Sequence, residues 1–295
     1  MGKTYHRPVL LGEVLEVLEV KAGEWYLDCT LGDGGHSLEI LKKGGNVLGL
    51  DVDPEAIERT KGRLEGFGES GRFKAIQGNF RDIKNLVLQM DLADQKFAGI
   101  LFDLGVSSLQ LENPERGFSF GKVGPLDMRM DPTLAVTALD LVNGLNKGEL
   151  YELFTKLGEE KYSRRLAEAL VSAREVGPIQ TTRQLAELAE KTLGRREKIH
   201  PATRIFQALR IAVNDELNAL KEGLDQVMTL MEENGQILVI SFHSLEDRIV
   251  KNTFNNWEEE GLGKVVTKKP ITPSNLELRE NPRSRSAKMR VFRML

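Results

Sequence analysis

In the N-terminal third of the chain, short apolar runs alternate with segments whose apolar residues recur every three to four positions, the pattern of parallel βαβ units. Trp25 to Thr30 reads as a strand, followed by a glycine-containing turn and a helix through Leu38, Ile40 and Leu41 that stops at Gly44 and Gly45. Asn46 to Asp51 reads as the next strand, and Pro54 opens a helix at its first turn, where the missing N–H has no partner to lose. Arg72 to Gln77 and Phe97 to Asp103 are the third and fourth strands. After Leu111 the period changes. Leu150, Leu153, Phe154 and Leu157 share one helical face, as do Tyr162, Leu166, Ala169, Leu170 and Ala173. Leu185, Leu188 and Ala189 mark a short third helix, and Pro201 opens a fourth that carries Ile205, Leu209, Ala212 and Val213. Strand character returns only at Gly235, with Gln236 to Phe242. Val265 to Lys269 and Lys288 to Met294, with Pro270 and Pro273 between them, are expected to form an antiparallel pair at a sheet edge. The predicted organisation is an α/β domain of residues 1–112 and 217–295, interrupted by a helical insertion over 113–216.

Composition narrows the class. At 295 residues, 40% hydrophobic and 29% charged, the chain has the make-up of a folded globular protein. Its longest apolar runs, such as Ile237 to Ile240, fall far short of the ~20 residues that span a bilayer. The N-terminus has no signal-peptide pattern, so a cytoplasmic location and no membrane partner are expected. One cysteine excludes an intramolecular disulfide framework and a CxxC-type zinc site, and His6, His36, His200 and His243 lack ligand spacing, so no metal is expected. Sustained heptads are absent, which leaves a homodimer open.

Net charge is only −3, but it is unevenly distributed. From Lys264 onward nine Lys/Arg face two Glu, and Arg195 to Arg210 holds Arg195, Arg196, Lys198, Arg204 and Arg210 against Glu197. Clustered cations on an acidic body point to a polyanion partner, because counterion release rewards local rather than average charge.

The candidate chemistry begins at Leu27-Asp28-Cys29-Thr30-Leu31-Gly32-Asp33-Gly34-Gly35-His36, a strand, a turn with three glycines and a helix start. Glycine there lets backbone N–H groups approach a ligand, and Asp51, ending the next strand, is placed to accept hydrogen bonds from ribose hydroxyls. The pattern is that of a nucleoside or dinucleotide site. No GK[ST] follows, which excludes a P-loop, and Ser37 stands where a pyrophosphate loop has its third glycine. An NAD-dependent oxidoreductase and a turn without a ligand remain open alternatives at this level. Asp103 ends the fourth strand, where open α/β sheets place their ligands, and Phe80 follows the third, where an aromatic ring could cover an adenine.

The ordered segments "HRPVLLGEVL", "TLGDGGHS", "LFDLGVSSLQL", "RGFSF", "GPLDMRMD", "HPATRIFQALRI", "VNDEL", "SFHSLEDRIVK" and "NPRSRSAKMR" closely resemble the MraW/RsmH family, S-adenosylmethionine-dependent methyltransferases of cytosine N4 in small-subunit (16S) ribosomal RNA. The resemblance spans nearly the whole chain. It implies a class I, Rossmann-like methyltransferase fold with an all-helical insertion that recognises substrate. It carries the cofactor contacts onto Gly34, Gly35, His36, Asp51, Phe80, Asp103 and Gln110. A non-catalytic RNA-binding or ribosome-assembly factor is the rival from another class, against which the intact combination of Gly34, Gly35, Asp51 and Asp103 argues.

Methylation at pyrimidine C5 calls for a cysteine nucleophile, and Cys29 sits inside the first strand, where a small core residue is expected. An exocyclic amine instead needs positioning and an acceptor for its N–H. Many amino-methyltransferases supply it from a [D/N/S]-P-P-[Y/F/W] turn, but here that place holds Asp103-Leu104-Gly105-Val106. The Asp103 carboxylate, or carbonyls near Leu104 and Gly105, are the candidate acceptors, and His243 is a second candidate for the proton, with loop bracing the favoured alternative. For RNA, cations and aromatic rings are expected at Arg116, Phe118, Phe120, Arg129, His200, Arg204, Arg283, Arg285 and Arg290.

Overall fold

The computed structural model describes residue 5 and residues 7–194 and 200–295. His6 and the cations Arg195, Arg196 and Lys198 of the second basic segment lie outside the described residues. The chain divides into a sheet unit, Met1–Gly105 with Leu217–Leu295, and a helical unit, Val106–Glu216. Residues 106–112, assigned to the α/β domain from periodicity, thus fall in the helical unit.

Seven strands build the sheet: β1 (Trp25–Asp28), β2 (Asn46–Asp51), β3 (Phe73–Gln77), β4 (Phe97–Asp103), β5 (Met231–Ser241), β6 (Gly263–Val265) and β7 (Lys288–Met294). Their order is β3-β2-β1-β4-β5-β7-β6, parallel except for β7, which runs antiparallel to both its neighbours. The order reverses direction at β1, and the crevice beside that switch is where such sheets bind ligands. The helices before the helical unit are α1 (Leu11–Leu18), α2 (Gly35–Lys42), α3 (Pro54–Arg63), α4 (Glu65–Glu69) and α5 (Ile83–Gln89). The helical unit holds α6 (Ser108–Glu112), α7 (Ala138–Gly144), α8 (Lys147–Lys156), α9 (Ser163–Val176), α10 (Thr182–Leu193) and α11 (Ala202–Asn214). Then come α12 (Glu216–Val227), α13 (Ser244–Glu259) and α14 (Asn275–Glu280).

Alternation along the strands sorts side chains onto two faces. Leu48, Leu50, Ile100, Phe102, Ile237 and Val239 face one core, covered by Leu86 of α5, Leu224 of α12 and Phe254 of α13. Val47, Leu101, Leu238 and Ile240 face the other, covered by Val14 of α1, Ile40 of α2 and Ile57 of α3. The helical unit has its own core around Leu150, Phe154, Leu166, Leu185 and Leu209.

Three elements depart from the sequence expectation. β5 starts at Met231 rather than near Gln236, with a register shift between Phe97 and Gly99. β6 occupies 263–265 rather than 265–269. Gly263 approaches β7 so closely that a Cβ would lie 2.2 Å from the Arg293 carbonyl, so only glycine lets pairing begin there. As expected, β6 and β7 pair antiparallel at one end of the sheet, with β6 as the edge strand there. The third insertion helix, α10, is also longer than its short apolar signature implied, at 12 residues.

Candidate active site

After β1 the chain turns through Gly32 (φ 49°) and Gly34 (φ 68°), which is the N-cap of α2. Both conformations are left-handed, where glycine carries no steric penalty. Space is restrictive as well: a Cβ on Gly34 would lie 2.5 Å from Thr60 Cγ2, and one on Gly35 2.3 Å from Pro8 Cγ. Thr60 Oγ1 donates to the Gly32 carbonyl at 2.7 Å, and Arg63 donates to the Asp33 carbonyl at 2.5 Å, so α3 holds the outside of the turn.

Asp51 closes the turn from β2. The Gly32 amide donates to its Oδ2 at 2.8 Å and the Asp53 amide to its Oδ1 at 2.9 Å. Burial pushes the Asp51 carboxyl up to about 6, against those two amides, which favour the ionised form. Each carboxylate oxygen keeps lone-pair capacity beyond the amide it accepts from. Asp53, two residues on, caps α3 by accepting from the Glu55 amide.

At the end of β4 a second acid faces the turn. His36 Nε2 lies 3.4 Å from Asp103 Oδ2, with the two side chains 6% and 22% exposed. Among the described residues neither His36 ring nitrogen makes a hydrogen bond, and Asp103 Oδ1 is buried without one. Orphaned buried polar atoms call for an explanation, and a ligand is one. The backbone here is fixed: the Asp103 amide donates to Thr30 Oγ1 at 2.6 Å, and the Leu104 amide to the Ile240 carbonyl at 3.0 Å. Beneath them Asp28 is buried, accepting from the Thr30 amide at 3.2 Å and from Ser37 Oγ at 2.7 Å, and burial raises its carboxyl above the ordinary range. Ser37, in place of a third glycine, is therefore a fully buried hydroxyl that satisfies a buried acid.

Phe80 opens a 3-10 turn after β3, and its ring meets Phe102 edge-on at 5.4 Å. Gly223 of α12 packs against it, with a Cβ there 3.0 Å from Phe80 Cδ2. Gln110 belongs to the helical unit, where its side chain accepts from the Ser107 amide at 2.9 Å in the capping box of α6. Cys29 is buried in the core, and burial pushes its thiol well up, away from a nucleophilic thiolate.

His243 is the N-cap of α13. Its Nδ1 accepts from the Glu246 amide at 3.4 Å, its Nε2 lies 3.2 Å from Glu246 Oε1, and Glu246 Oε2 in turn accepts from the Phe242 amide at 2.8 Å. Both ring nitrogens thus face the helix start that the histidine braces.

Few of the cations named from sequence stand clear of the fold. Arg290 is buried and grips Asp247 with both arms, at 2.6 and 3.3 Å. Burial works to raise Asp247, but Arg290 and Lys288 hold it below the usual carboxylate range. Arg283 and Arg285 lie on an exposed 3-10 turn before β7. In the helical unit, Arg129 makes a bidentate pair with Asp127 at 2.8 Å on each arm and donates to the carbonyls of Pro132 and Leu134. Arg116 donates to the carbonyls of Arg129 and Met130, and Phe118 is buried. Phe120 stacks on His200 at 4.5 Å and meets Phe206 edge-on. His200 lies 3.0 Å from Glu190 and accepts from the Ala202 amide, and Arg204 lies 3.5 Å from Glu160. These contacts give most of the named side chains structural work in their own unit.

The sequence reading did not single out Thr60, Arg63, Asp28 or Thr30 as parts of the site. Asp28 and Thr30 lay inside the quoted glycine-turn stretch and could have been found there. Thr60 and Arg63 carried no signal, because only the packing of α3 brings them to the turn.

A ribosomal RNA small subunit methyltransferase H from Persephonella marina is 47% identical over 98% of this chain and 99% of its own length. The protein of the same name from Carboxydothermus hydrogenoformans is also 47% identical, over 98% of each chain. Among solved structures, an rRNA methylase from Streptococcus thermophilus aligns over 99% of both chains at 10% identity and a TM-score of 0.46, too distant to carry an argument. The model of the MraW methylase family matches residues 3–295, and the chain belongs to that family.

Proposed function

We propose that this chain transfers a methyl group from S-adenosylmethionine to the N4 amine of a cytosine in 16S ribosomal RNA of the small subunit, in the decoding region, and works in the cytoplasm. The observation that carries the reading is the pair of acids flanking β1, Asp51 on the glycine turn and Asp103 beside His36, at the strand ends of one sheet unit. Membership of a methylase family speaks against an NAD-dependent oxidoreductase and against a non-catalytic assembly factor.

The residues fit the cofactor. Gly34 and Gly35 form a turn that a Cβ would obstruct, Asp51 has acceptor capacity for ribose hydroxyls, and both His36 ring nitrogens are buried without a hydrogen bond beside Asp103. Phe80, edge-on to Phe102 of β4, supplies an apolar ring, and Gln110 is the remaining contact that the family resemblance implies. When bound, S-adenosylmethionine supplies a methyl group already activated on a sulfonium.

This chain's own residues have two tasks left: to hold the amine and to accept an N–H as its nitrogen loses planarity. Asp103 Oδ1, buried and without a hydrogen bond, is the acceptor we assign, with the Leu104 and Gly105 carbonyls beside it. His36 Nε2 lies 3.4 Å from the other carboxylate oxygen. His243 accepts from the Glu246 amide as the N-cap of α13, and so serves to shape the loop after β5. Cys29 plays no part, which agrees with an amine rather than a ring carbon as the acceptor. Sedimentation of the purified chain distinguishes a homodimer from a single chain.

The test is methylation of isolated 30S particles and of free 16S RNA with labelled S-adenosylmethionine, followed by nuclease digestion and mass spectrometry. Label in N4-methylcytidine is the expected result. Label on protein, on another base, or on nothing overturns the reading.

A further inference from the structure

One cavity of the sheet unit is lined by none of the proposed cofactor contacts. It has a volume of about 430 Å³ and opens where β5 ends, between Phe242–Ser244 and the turn that leads into β7. Its size is that of a small-ligand pocket. The lining is divided by chemistry: Phe242, Pro273 and Leu278 provide apolar surface, whereas Arg285 and Lys288 provide positive charge, with Thr272 offering a hydroxyl. A ligand with a flat apolar body and an anionic group matches that division, and a nucleotide has both.

The cations are available to different degrees. Asp247 is already matched by Arg290, so Lys288, 3.5 Å from the same carboxylate, leaves the group with a net positive charge. Arg285 is exposed and has no hydrogen bond or ion pair among the described residues, unlike Arg290, Arg129 and Arg204.

Register places the cavity relative to the acid that faces the amine. Asp103 pairs with Ile240 on β5, and Ser241 pairs with Lys288 on β7. Neighbouring strands lie roughly 5 Å apart, so the cavity begins one to two strands from Asp103, on the side away from the glycine turn. A nucleotide held there is next to the methylated one rather than identical with it. We infer that this cavity binds a nucleotide flanking the target in the RNA strand, its phosphate on Arg285 and Lys288 and its base against Phe242, Pro273 and Leu278. The inference rests on the RNA-methylating reading above.

The experiment is steady-state methylation of the RNA substrate by wild type, Arg285→Ala, Arg285→Lys and Leu278→Trp, the last filling the cavity without changing charge. S-adenosylmethionine affinity and thermal midpoint are measured on each as controls for folding. Arg285→Ala is expected to raise KM for RNA roughly tenfold with kcat within about twofold, and to lower the slope of log KM against log salt by about one. Lysine at that position restores much of the loss, and Leu278→Trp raises KM without touching the salt slope. Wild-type KM in both Arg285→Ala and Leu278→Trp overturns the inference. A fall in kcat at unchanged KM overturns the flanking assignment, since it places the target itself in the cavity. If wild type labels no RNA, the functional reading fails before any variant is made, and this inference fails with it.

Discussion

The two ends of the strand row handle charge in opposite ways. At the glycine turn, Asp51 is held by two backbone amides, and Asp103 Oδ1 has no hydrogen bond at all. At the β5–β7 end, charge is matched to charge: Arg290 grips Asp247 with both arms, and Lys288 lies 3.5 Å from the same carboxylate. Amides position a carboxylate without neutralising it, so the first end keeps capacity for a ligand. A bidentate ion pair uses that capacity up, so the second end is mainly structural and leaves Arg285 as its available cation. A charged residue in a sequence is therefore weak evidence for binding until its partner is known.

That contrast can be broken at either end. Arg290→Ala has the largest expected effect, because it leaves Asp247 in a partly buried site without its main partner. A loss of about 3 kcal/mol in unfolding free energy is expected in denaturant titration, with S-adenosylmethionine affinity unchanged. The pair also carries a pH signature. The folded-state value of Asp247 is lowered, so its contribution is present above the ordinary carboxylate range, near 4, and is lost as pH falls through the lowered value. If Arg290→Ala kept full stability but lost RNA turnover, Arg290 would belong to the substrate site and the contrast would fail.

Gly34→Ala strikes the other end. The left-handed backbone and the approach to Thr60 together are expected to cost about 1–2 kcal/mol of stability. Unlike Arg290→Ala, this change also weakens cofactor binding, which calorimetry separates from the fold effect. Equal cofactor affinity would mean that the turn does not contact the ligand.

Cys29→Ala is the smallest of the three. Loss of a buried sulfur is expected to lower stability by about 1 kcal/mol and to leave the methyl-transfer rate unchanged. A collapse of turnover in a folded protein would restore a thiol nucleophile and carbon methylation.

How far the sequence foretells this structure depends on the kind of signal each element carries. β2 and β4 have the predicted ends, Asn46–Asp51 and Phe97–Asp103, because each is an apolar run closed by an acid. Asp51 was legible for the same reason, since a parallel strand delivers its last residue to the neighbouring turn. The insertion was expected to end at 216, but the left-handed turn that separates α11 from α12 there was not legible. It occurs at Asp215, a non-glycine residue at φ 50°, within the stretch Asn214-Asp215-Glu216 that has no glycine or proline. α1 was equally hidden, entered through Leu10 at φ 53°. Nor could the sequence tell Arg285 from Arg290, five residues apart in one basic stretch, because only tertiary packing puts Asp247 against the second.

The most direct test of the account is calorimetric titration of S-adenosylmethionine into wild type and Asp51→Asn between pH 5 and 8, repeated in buffers of different ionisation enthalpy. Burial raises the carboxyl of Asp51 to about 6, so in the free protein it is ionised above that pH and protonated below it. Ribose hydroxyls donating to the ionised form would lower its value in the complex. Wild type should therefore bind less tightly as pH falls below about 6, releasing up to one proton on binding. Asp51→Asn should bind roughly 30-fold more weakly at pH 8, about 2 kcal/mol, with that pH dependence gone. Equal affinity of the two proteins, or the same proton release from both, would contradict the assignment of Asp51 and the glycine turn as the cofactor site.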